Sequence, residues 1–428
     1  MGTFKMIKYK LGDLCNDVVD CPHSTPIWKN SGVRVIRNFN IKGGRLDFTD
    51  GYYVDEETYI ARTKRAIPEC GDLVISREAP MGAVCIIPKR LQCCLGQRLV
   101  LLKVNKKIAD PKYLCYMIQG RFVQLQIERI NLTGSIVSNL NIPDLKSLII
   151  PLPSLPIQRK IAAVLTALDD KIALNKRIND KLEAMAKRLY DYWFVQFDFP
   201  DENGRPYKSS GGKMVWNETL KREIPAGWEV CEIGERISLE RGISYSTANL
   251  HGDGIPMINL GSFAIGGGYK NGSLKTYNGT YSDGKIIAPY DLLVCLTQQT
   301  SIDFSKDVIG CSMIVPDIFK SDIVISQDLA KVVCCGELKY YLHQLFKTFH
   351  FHKYITGFVS GSNIMHLDAN GILRHKTVIP PNGILQKYRN ISQSIFAKTS
   401  KASAEISSLT ALRDRLLPLL MNGQVEVK

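Results

Sequence analysis

The sequence has no apolar run of the roughly 18 residues that a membrane-spanning helix requires. Its longest apolar stretch, around residues 145–157, is interrupted by three prolines. The N-terminus carries lysines without a following apolar segment, so no secretory signal peptide is expected. No two of the 12 cysteines form a CxxC pair, and the Cys93-Cys94 and Cys334-Cys335 doublets lie in apolar runs. We therefore expect buried, reduced thiols in a cytoplasmic protein.

Motifs of common catalytic centres are missing as well. The sequence contains no HExxH, no GxSxG and no glycine-rich strand-to-helix turn for a cofactor. The nearest stretch to the Asn/Asp-Pro-Pro-aromatic loop of amino-methyltransferases is Ile379-Pro380-Pro381-Asn382, which lacks the polar first and the aromatic last residue. The histidines have no partners at metal-ligand spacing. We predict no catalytic residue, no metal site and no cofactor on this chain.

A nuclease site is one alternative that stays open. Asp317, Glu337 and Lys339 match a loose pattern in which two carboxylates hold a metal ion and a lysine supports the attacking water. The pattern is short enough to arise by chance. The sequence contains an internal repeat, described below, and the equivalent place in the other copy is Pro88-Lys89, which lacks the first carboxylate. A metal-dependent DNA endonuclease is therefore kept only as the alternative.

Positive charge is unevenly distributed along the chain. The formal net charge is +14, and residues 1–154 carry 22 basic and 14 acidic side chains. Residues 155–195 carry 8 and 5, residues 196–383 carry 18 and 19, and residues 384–428 carry 7 and 3. A basic chain favours a polyanionic partner. The neutral third segment excludes a uniform electrostatic clamp on nucleic acid.

The 428 residues contain an internal repeat of about half the chain. Leu11-Gly12-Asp13 pairs with Ile233-Gly234-Glu235, and Gly82 through Pro88 pairs with Gly310 through Pro316. Each copy begins with short strand-like runs, with one helix near residues 111–128 in the first copy, and then passes a proline-marked stop into a long helical stretch. The sequence thus predicts an α+β fold with two similar mixed α/β domains and two long antiparallel helices that form a coiled coil. The predicted segments are residues 1–154 (first domain), 155–197 (central helix), 198–227 (connector), 228–383 (second domain) and 384–428 (C-terminal helix).

The two helical stretches, about 156–193 and 385–421, have apolar residues at coiled-coil spacing. A stripe of this kind needs a partner, and the economical one is the other helix. Asn175 lies on the first stripe, where a single buried Asn commonly sets the register. The residues predicted on the seam or at the helix start are Gln158, Ile161, Leu168, Ile172, Asn175, Leu182, Met185, Leu189, Ile391, Ile395, Ile406, Leu409, Leu412 and Leu416.

Polar loops of both copies form the predicted recognition surface. Arg reads guanine and Asn or Gln reads adenine in the major groove, while hydroxyl groups suit phosphates. The predicted DNA-binding residues of the first copy are His23, Ser24, Thr25, Arg37, Asn38, Asn40, Arg77, Arg98, Thr133 and Ser135. Those of the second copy are Arg241, Ser244, Tyr245, Asn259, Gln298, Gln299, Thr300, Ser301, Ser362 and Asn363.

One run of residues resembles a known family. Leu152-Pro153-Ser154-Leu155-Pro156-Ile157-Gln158-Arg159-Lys160-Ile161, followed by Leu168-Asp169-Asp170-Lys171-Ile172, is similar to the signature of type I restriction–modification specificity (S) subunits. The Asp20 to Pro26 turn and the two-copy plan fit the same family. The second copy departs from the signature, because its helix keeps Gln386 but lacks the Leu-Asp-x-Lys-Ile run.

The resemblance implies that each domain is a target recognition domain that reads one half of a bipartite, asymmetric sequence in double-stranded DNA. The helices are then expected to set the unread gap and to dock two modification subunits, which bind S-adenosylmethionine and methylate adenine N6. Two restriction subunits that use ATP and Mg²⁺ complete the complex, in the cytoplasm of a bacterium or archaeon. This chain would carry no catalysis and no membrane contact.

The residues add one expectation and leave one further alternative. Arg37 of the first copy corresponds to Asn259 of the second, and Arg98 to Asp328, so unlike half-sites are expected. The alternative is a coiled-coil interaction protein that does not bind DNA, against which the basic first half argues.

Overall fold

The computed structural model describes residues 4–133, 139–250, 252–270, 274–298 and 308–427. The chain divides into two compact units. Unit 1 comprises Met1–Lys171 and Leu409–Lys428, and unit 2 comprises Ile172–Ser408. Within the described residues, no helix is both long and apolar enough to cross a membrane.

The strands of unit 1 form small sheets around its core. The main sheet is antiparallel with the strand order β2-β10-β7-β8, and a second sheet has the order β6-β3-β9, with β3 parallel to β9. β1 pairs with β11, and β4 pairs with β5. All four residues of β7 are buried, and its sequence is a short, nearly continuous apolar run, as expected for a strand that is covered on both faces. The strands are β1 (Ile7–Lys10), β2 (Cys15–Asp20), β3 (Val33–Ile36), β4 (Ile41–Lys42), β5 (Arg45–Leu46), β6 (Tyr53–Val54), β7 (Leu73–Ser76), β8 (Val84–Ile86), β9 (Cys93–Leu95), β10 (Leu99–Val104) and β11 (Ile149–Leu152).

Short helices accompany these sheets. The side chain of Asp110 accepts hydrogen bonds from two backbone amides of the first turn of α2, where Pro111 fits because its missing N–H would have no partner there. Gly120 ends α2 with extended backbone, so the helix predicted near residues 111–128 is in fact two helices. The helices are α1 (Glu56–Thr63), α2 (Pro111–Gln119), α3 (Arg121–Thr133) and α4 (Ile142–Ser147).

Unit 2 repeats this sheet arrangement. Its main sheet has the order β15-β23-β19-β21, its second sheet β17-β16-β22-β18, and β14 pairs with β26. The strands are β12 (Met214–Asn217), β13 (Arg222–Pro225), β14 (Glu229–Glu232), β15 (Ser238–Arg241), β16 (Ile255–Ile258), β17 (Lys275–Tyr277), β18 (Ile286–Ile287), β19 (Leu292–Cys295), β20 (Thr297–Gln298), β21 (Ser312–Ile314), β22 (Ile323–Ile325), β23 (Leu329–Val333), β24 (Val359–Ser360), β25 (Met365–Leu367) and β26 (Lys376–Ile379). The short helices are α6 (Leu338–Phe346), α7 (Phe349–Ile355) and α8 (Ala369–Leu373).

Individual hydrogen bonds repeat as well as the sheets. In unit 1 the backbone amide of Arg77 donates to the backbone carbonyl of Arg98 at 2.8 Å. In unit 2 the backbone amide of Leu296 donates to the backbone carbonyl of Asp328 at the same distance. The predicted duplication and the α+β class are therefore confirmed.

Two long helices, α5 (Leu155–Tyr190) and α9 (Asn382–Met421), contribute residues to both units. In unit 2 they run antiparallel, because Asn175 donates to Glu405 at 2.8 Å and Asn179 donates to Ser403 at 3.0 Å. Asn175 is 2% exposed, as its predicted seam position requires. In unit 1, Arg413 of α9 pairs with Asp169 of α5 at 3.1 Å.

Part of the predicted seam is corrected by the structure. Ile391, Met185 and Leu412 are between 41% and 47% exposed. On α9, Ser392 is buried in place of Ile391, together with Tyr388 and Ile395, which were on the predicted stripe, and the three lie at the 3-4 spacing of one helix face. Ile391 lies one position before that face, which is a rotation of about 100° around a helix with 3.6 residues per turn. The remaining seam residues are buried or half-buried, namely Gln158, Ile161, Leu168, Ile172, Leu182, Leu189, Ile395, Ile406, Leu409 and Leu416.

Residues 198–227, predicted as a connector, include the hairpin of β12 and β13. Phe199 stacks on Tyr207 and Trp228, with ring centres 4.7 and 4.9 Å away. Asp198 accepts hydrogen bonds from the amide and the hydroxyl of Ser209. These contacts pack the segment onto the core of unit 2.

Candidate nucleic-acid interface

Loops at one end of the main sheet of unit 1 are joined by side-chain hydrogen bonds. Asn38, which follows β3, donates to the carbonyl of Ala79 at 2.5 Å. Glu78 of that second loop forms an ion pair with Arg98 at 3.0 Å. Gln97 in turn donates to the carbonyl of His23. The structure therefore brings four of the predicted recognition loops of the first copy together.

Arg62, which sequence reasoning did not single out, fixes the first of these loops. It is only 8% exposed and donates to the carbonyls of Pro22, Ser24 and Leu95 at 2.9–3.1 Å. His23, Ser24 and Thr25 themselves are exposed. The buried side chain of Arg62 thus holds the backbone of this loop, while the polar side chains of the loop are exposed to solvent.

Arg37 is the best-positioned cation of the cluster. Its guanidinium carbon lies 4.6 to 5.3 Å from the ring centres of Trp28, Phe39 and Tyr52. Each such contact contributes about 0.5–1 kcal/mol at a partly exposed site. Because the rings restrict the side chain, its planar donors are preorganised for bidentate hydrogen bonds to an acceptor edge such as that of guanine. The rings come from three separate sequence positions, and sequence reasoning missed Trp28 and Tyr52.

Two residues predicted to contact DNA are engaged inside the protein. Arg77 is 8% exposed, donates to both carboxylate oxygens of Asp20 at 3.0 and 2.9 Å, and donates to the carbonyl of Leu140 at 2.9 Å. Asn40 is 2% exposed and accepts a hydrogen bond from the amide of Arg37 at 2.9 Å. Both side chains shape the loops from within, so we correct their expected role from base contact to support.

In unit 2 the exposed predicted residues lie on two segments. Arg241 at the end of β15 and Ser244 after it are exposed, and Tyr245 lies beside Lys275, whose Nζ is 5.4 Å from the centre of the tyrosine ring. Gly242 allows this turn, because a Cβ atom there would lie 2.2 Å from the carbonyl oxygen of Ile325. Lys275 was missed by sequence reasoning, since it belongs to another strand.

The second exposed segment is the hairpin of β24 and β25, which carries Ser362 and Asn363 between its strands. β20 pairs with β25 on the other side, so Gln298 lies opposite Met365. Gln298 is 3% exposed and accepts hydrogen bonds from the amides of Val308 and Ile309. Its predicted role as a base reader is therefore corrected to loop support.

Asn259 is corrected in the same way. It is 6% exposed, its side chain accepts from the amide of Gly261 at 2.8 Å, and its own amide donates to Ser262 at 3.2 Å. This turn repeats that of unit 1, where the amide of Arg37 donates to Asn40. Equivalent positions thus present an accessible guanidinium in one unit and a buried amide in the other.

Some predicted residues cannot be placed. Ser135, Gln299, Thr300 and Ser301 lie outside the described residues, as does the side chain of Thr133.

The residues of the alternative nuclease pattern are committed to other partners. Glu337 pairs with Arg389 at 2.7 Å, and Lys339 donates to the carbonyl of Tyr290 at 3.0 Å. In the described part of the chain, no group of three His, Cys, Asp or Glu side chains is arranged to hold a metal ion.

The 12 cysteines are all free thiols. Burial raises the pKa of Cys93 and of Cys115 to about 12, so both thiols stay protonated near neutral pH. A protonated thiol is a poor nucleophile, and these side chains serve as packing groups.

The chain is similar to known proteins of one family. The family model of the type I restriction modification DNA specificity domain matches residues 5–184. The specificity subunit of the type I restriction enzyme MjaIX from Methanocaldococcus jannaschii is 28% identical over 393 residues, which cover 87% of this chain and 84% of that protein. Residues 5–184 thus match the DNA specificity domain, and the chain resembles type I specificity subunits over most of its length.

Another specificity subunit is similar over most of its length. The HindI subunit of Haemophilus influenzae is 22% identical, and the match covers 85% of this chain and 88% of that subunit. The crystal structure of a type I restriction–modification S subunit from M. genitalium superposes with a TM-score of 0.62 at 16% identity, covering 98% of this chain and 96% of that one. This likeness shows a shared fold.

The matched family model is a type I restriction modification DNA specificity domain, and these relatives are named specificity subunits of type I restriction enzymes. The recognition of the family from the Leu152 to Ile172 run is thereby confirmed, as is the prediction that the chain is not itself an enzyme.

Proposed function

We propose that this specificity subunit reads a bipartite, asymmetric DNA sequence, with unit 1 reading one half-site and unit 2 the other. The single observation that carries the proposal is that the two units share a backbone arrangement but present different side chains on it. Arg37 and Arg98 of unit 1 correspond to Asn259 and Asp328 of unit 2. Different side chains at equivalent places select different bases.

A third substitution lies at the end of equivalent strands. Asp20 lies opposite Val100 in unit 1, and Arg241 lies opposite Ala330 in unit 2. In unit 1 the carboxylate is consumed by the ion pair with Arg77, whereas the side chain of Arg241 is exposed. Arg241 is therefore our candidate for the leading cation of the second half-site.

We infer that α5 and α9 set the unread gap between the half-sites and dock two modification subunits. The outer face of α5 supports docking, because Leu174, Ile178 and Met185 are 38–47% exposed there at helical spacing. Two restriction subunits complete the proposed complex. S-adenosylmethionine, ATP and Mg²⁺ are assigned to these partners, and the chain itself performs no catalysis, in the cytoplasm of a bacterium or archaeon.

Selection from a random duplex library tests this function. The chain is purified together with its modification subunits, and bound duplexes are sequenced. We expect two short conserved blocks of unlike sequence separated by a fixed number of unread base pairs. A single block, or no enrichment by a properly assembled complex, would contradict the proposal. Metal-dependent cutting by the isolated chain, abolished in Glu337→Ala, would favour the nuclease alternative.

A further inference from the structure

Unit 2 contains a cavity of about 380 Å³ that no part of the DNA-reading proposal uses. It lies between α6 and the paired helices α5 and α9, and its walls include Asn179, Ala186, His343, Gln344 and Phe396. None of these residues belongs to the recognition loops. Ligand binding in this cavity can therefore be measured independently of DNA reading.

The corresponding region of unit 1 is filled by side chains. Lys112-Tyr113 of α2 matches Lys339-Tyr340 of α6, an offset of 227 residues. In unit 1, the hydroxyl of Tyr116 donates to Asp169 at 2.6 Å, and Arg413 donates to the other oxygen of the same carboxylate at 3.1 Å. A phenol, a carboxylate and a guanidinium thus occupy the space between α2 and the long helices.

Residues of unit 2 at the same offset of 227 positions are smaller or apolar, which leaves the cavity unfilled. This offset places His343 at the position of Tyr116 and Phe396 at that of Asp169, and these two rings meet edge to face at 5.2 Å. The position 227 residues before Arg413 is Ala186, a single methyl group in place of a guanidinium. The cavity therefore results from specific replacements at equivalent positions and not from loose packing of the unit.

His343 lines this cavity with an imidazole ring. Its ring is 2% exposed, and burial lowers its pKa well below the usual value, so the imidazole is neutral. The hydroxyl of Ser312 lies 2.9 Å from Nδ1 and 3.1 Å from the carbonyl oxygen of His343. In the tautomer that the proposal uses, the hydroxyl donates its single proton to the carbonyl and accepts from Nδ1. Nδ1 thus carries the hydrogen, and Nε2 is left as an acceptor.

Gln344 supplies the second polar group. The residue is 4% exposed and lines the cavity, and its side-chain amide makes no hydrogen bond to another residue in the described part of the chain. Buried amides are nearly always hydrogen-bonded, so a free one on a cavity wall points to a bound molecule. Unit 1 has Met117 at the equivalent position, which needs no such partner.

The rim of the cavity is electrically balanced. Lys176 and Lys347 line it together with Asp180 and Glu183, and Lys347 lies 3.6 Å from Glu183. A strongly anionic ligand such as a nucleotide triphosphate gains little there, because Lys347 already pairs with Glu183 and the two carboxylates balance the two lysines. The occupant that suits the rim is neutral or zwitterionic.

We propose that this cavity binds a neutral adenine nucleoside. A glutamine amide pairs with the N6 and N7 atoms of adenine through two hydrogen bonds, which matches the free amide of Gln344. His343 Nε2 accepts one further N–H or hydroxyl group of the ligand, and the Phe396 ring supplies an apolar wall for the base. The cavity volume accommodates a base with its ribose.

Isothermal titration of adenosine into the full-length chain tests the proposal. We expect saturable one-to-one binding, weaker binding of guanosine by about tenfold, and no gain in affinity for ATP, because a bidentate amide contact discriminates by about that factor. Gln344→Met should weaken adenosine binding by about tenfold, and Ala186→Met, which fills the cavity, should also weaken it. Met117→Leu in unit 1 is the matched control and should bind as the parent chain does.

Photolabelling of the unaltered chain with 8-azidoadenosine locates the site without relying on a variant that folds poorly. Label on peptides from α5, α6 or α9 of unit 2 is the expected result. Absence of saturable binding at millimolar adenosine, equal binding of adenosine and guanosine, label on the recognition loops, or unchanged affinity in well-folded Gln344→Met would each overturn the proposal.

Discussion

The guanidinium carbon of Arg37 lies 4.6 Å from the centre of the Tyr52 ring. Trp28 and Phe39 lie on the same guanidinium, while the backbone amide of Arg37 is held by Asn40. A long, flexible side chain is thereby restricted before DNA arrives, which lowers the entropic cost of a specific contact. We therefore expect base recognition by unit 1 to depend most directly on Arg37.

Arg37→Ala should relax sequence preference in one half-site and leave the other half-site unchanged. Loss of one bidentate contact costs about 1–3 kcal/mol of discrimination at its base pair. The readout is the methylated-adenine motif, position by position. Arg34→Ala is the matched control, because Arg34 also lies over aromatic rings, Phe48 at 4.4 Å and Tyr53 at 5.2 Å, but outside the joined loops. Uniform weakening at all sequences would mean that Arg37 only holds the DNA backbone.

Arg77→Ala should destabilise unit 1 instead of changing which bases it reads. The ion pair with Asp20 is largely shielded, with the two side chains 10% and 23% exposed. Removing the arginine leaves a poorly solvated carboxylate and an unpaired Leu140 carbonyl, which costs about 2–3 kcal/mol. Chemical denaturation of the two proteins measures the difference.

Arg98→Ala provides the contrast. The pair of Arg98 with Glu78 has its arginine 52% exposed, so the stability change should stay below about 1 kcal/mol. DNA affinity should fall in this variant while the unfolding midpoint stays near that of the parent. A stable Arg77→Ala protein with altered base preference would contradict the assignment of roles.

The salt dependence of DNA binding should differ between the isolated chain and its complex with modification subunits. Residues 196–383, which form most of unit 2 without its long helices, carry 18 basic and 19 acidic side chains, so this part can neutralise few phosphates by itself. The slope of log K against log salt counts the neutralised phosphates. We expect a clearly steeper slope for the complex. Equal slopes would show that unit 2 needs no electrostatic help from its partner.

Unit 2 should lose stability as the pH falls below about 6.5. Burial lowers the pKa of His375 to about 4, and burial also lowers the pKa of His343 and of His352. Between the folded and unfolded pKa values the unfolded chain binds more protons, so its population rises as the pH falls. The stabilisation is fully present above the unfolded value near 6.5 and is lost through the window down to about pH 4.

Urea unfolding at pH 7.5 and pH 5 measures this loss. His375→Phe should flatten the pH dependence, because a phenyl ring keeps the contacts with Phe351 and Tyr354 but cannot take up a proton. His366→Gln is the control in the same unit, since His366 is exposed. An unchanged pH dependence in His375→Phe would show that this histidine is not a source of the effect.

The sequence predicted the fold better than it predicted the site. The repeat and the long helices could be recognised because both leave periodic signals, either a steady offset or a 3-4 apolar spacing. The phase of α9 was set one residue wrong at Ile391, because the small polar Ser392 is buried in its place. A prediction from the spacing of apolar residues misses buried serine side chains, because serine is counted as polar.

The roles of the loop residues depended on contacts distant in sequence. Arg77 and Arg98 are the same residue type in neighbouring loops. Arg77 pairs with Asp20, 57 positions away, whereas Arg98 pairs with Glu78 and is half exposed to solvent. Arg62 was overlooked because it lies within a helix, away from the loops it anchors. Residue type and loop composition selected the predicted recognition loops, and only tertiary contacts distinguish the exposed side chains of these loops from the buried ones that support them.

Single-molecule sequencing of modified adenine tests the central claim most directly. DNA is compared from cells that express this chain with its modification partner and from cells in which only this chain is deleted. The account predicts a bipartite motif with two unlike half-sites and a fixed gap that disappears on deletion. No motif dependent on this chain, with the partner expressed and bound to it, would contradict the account.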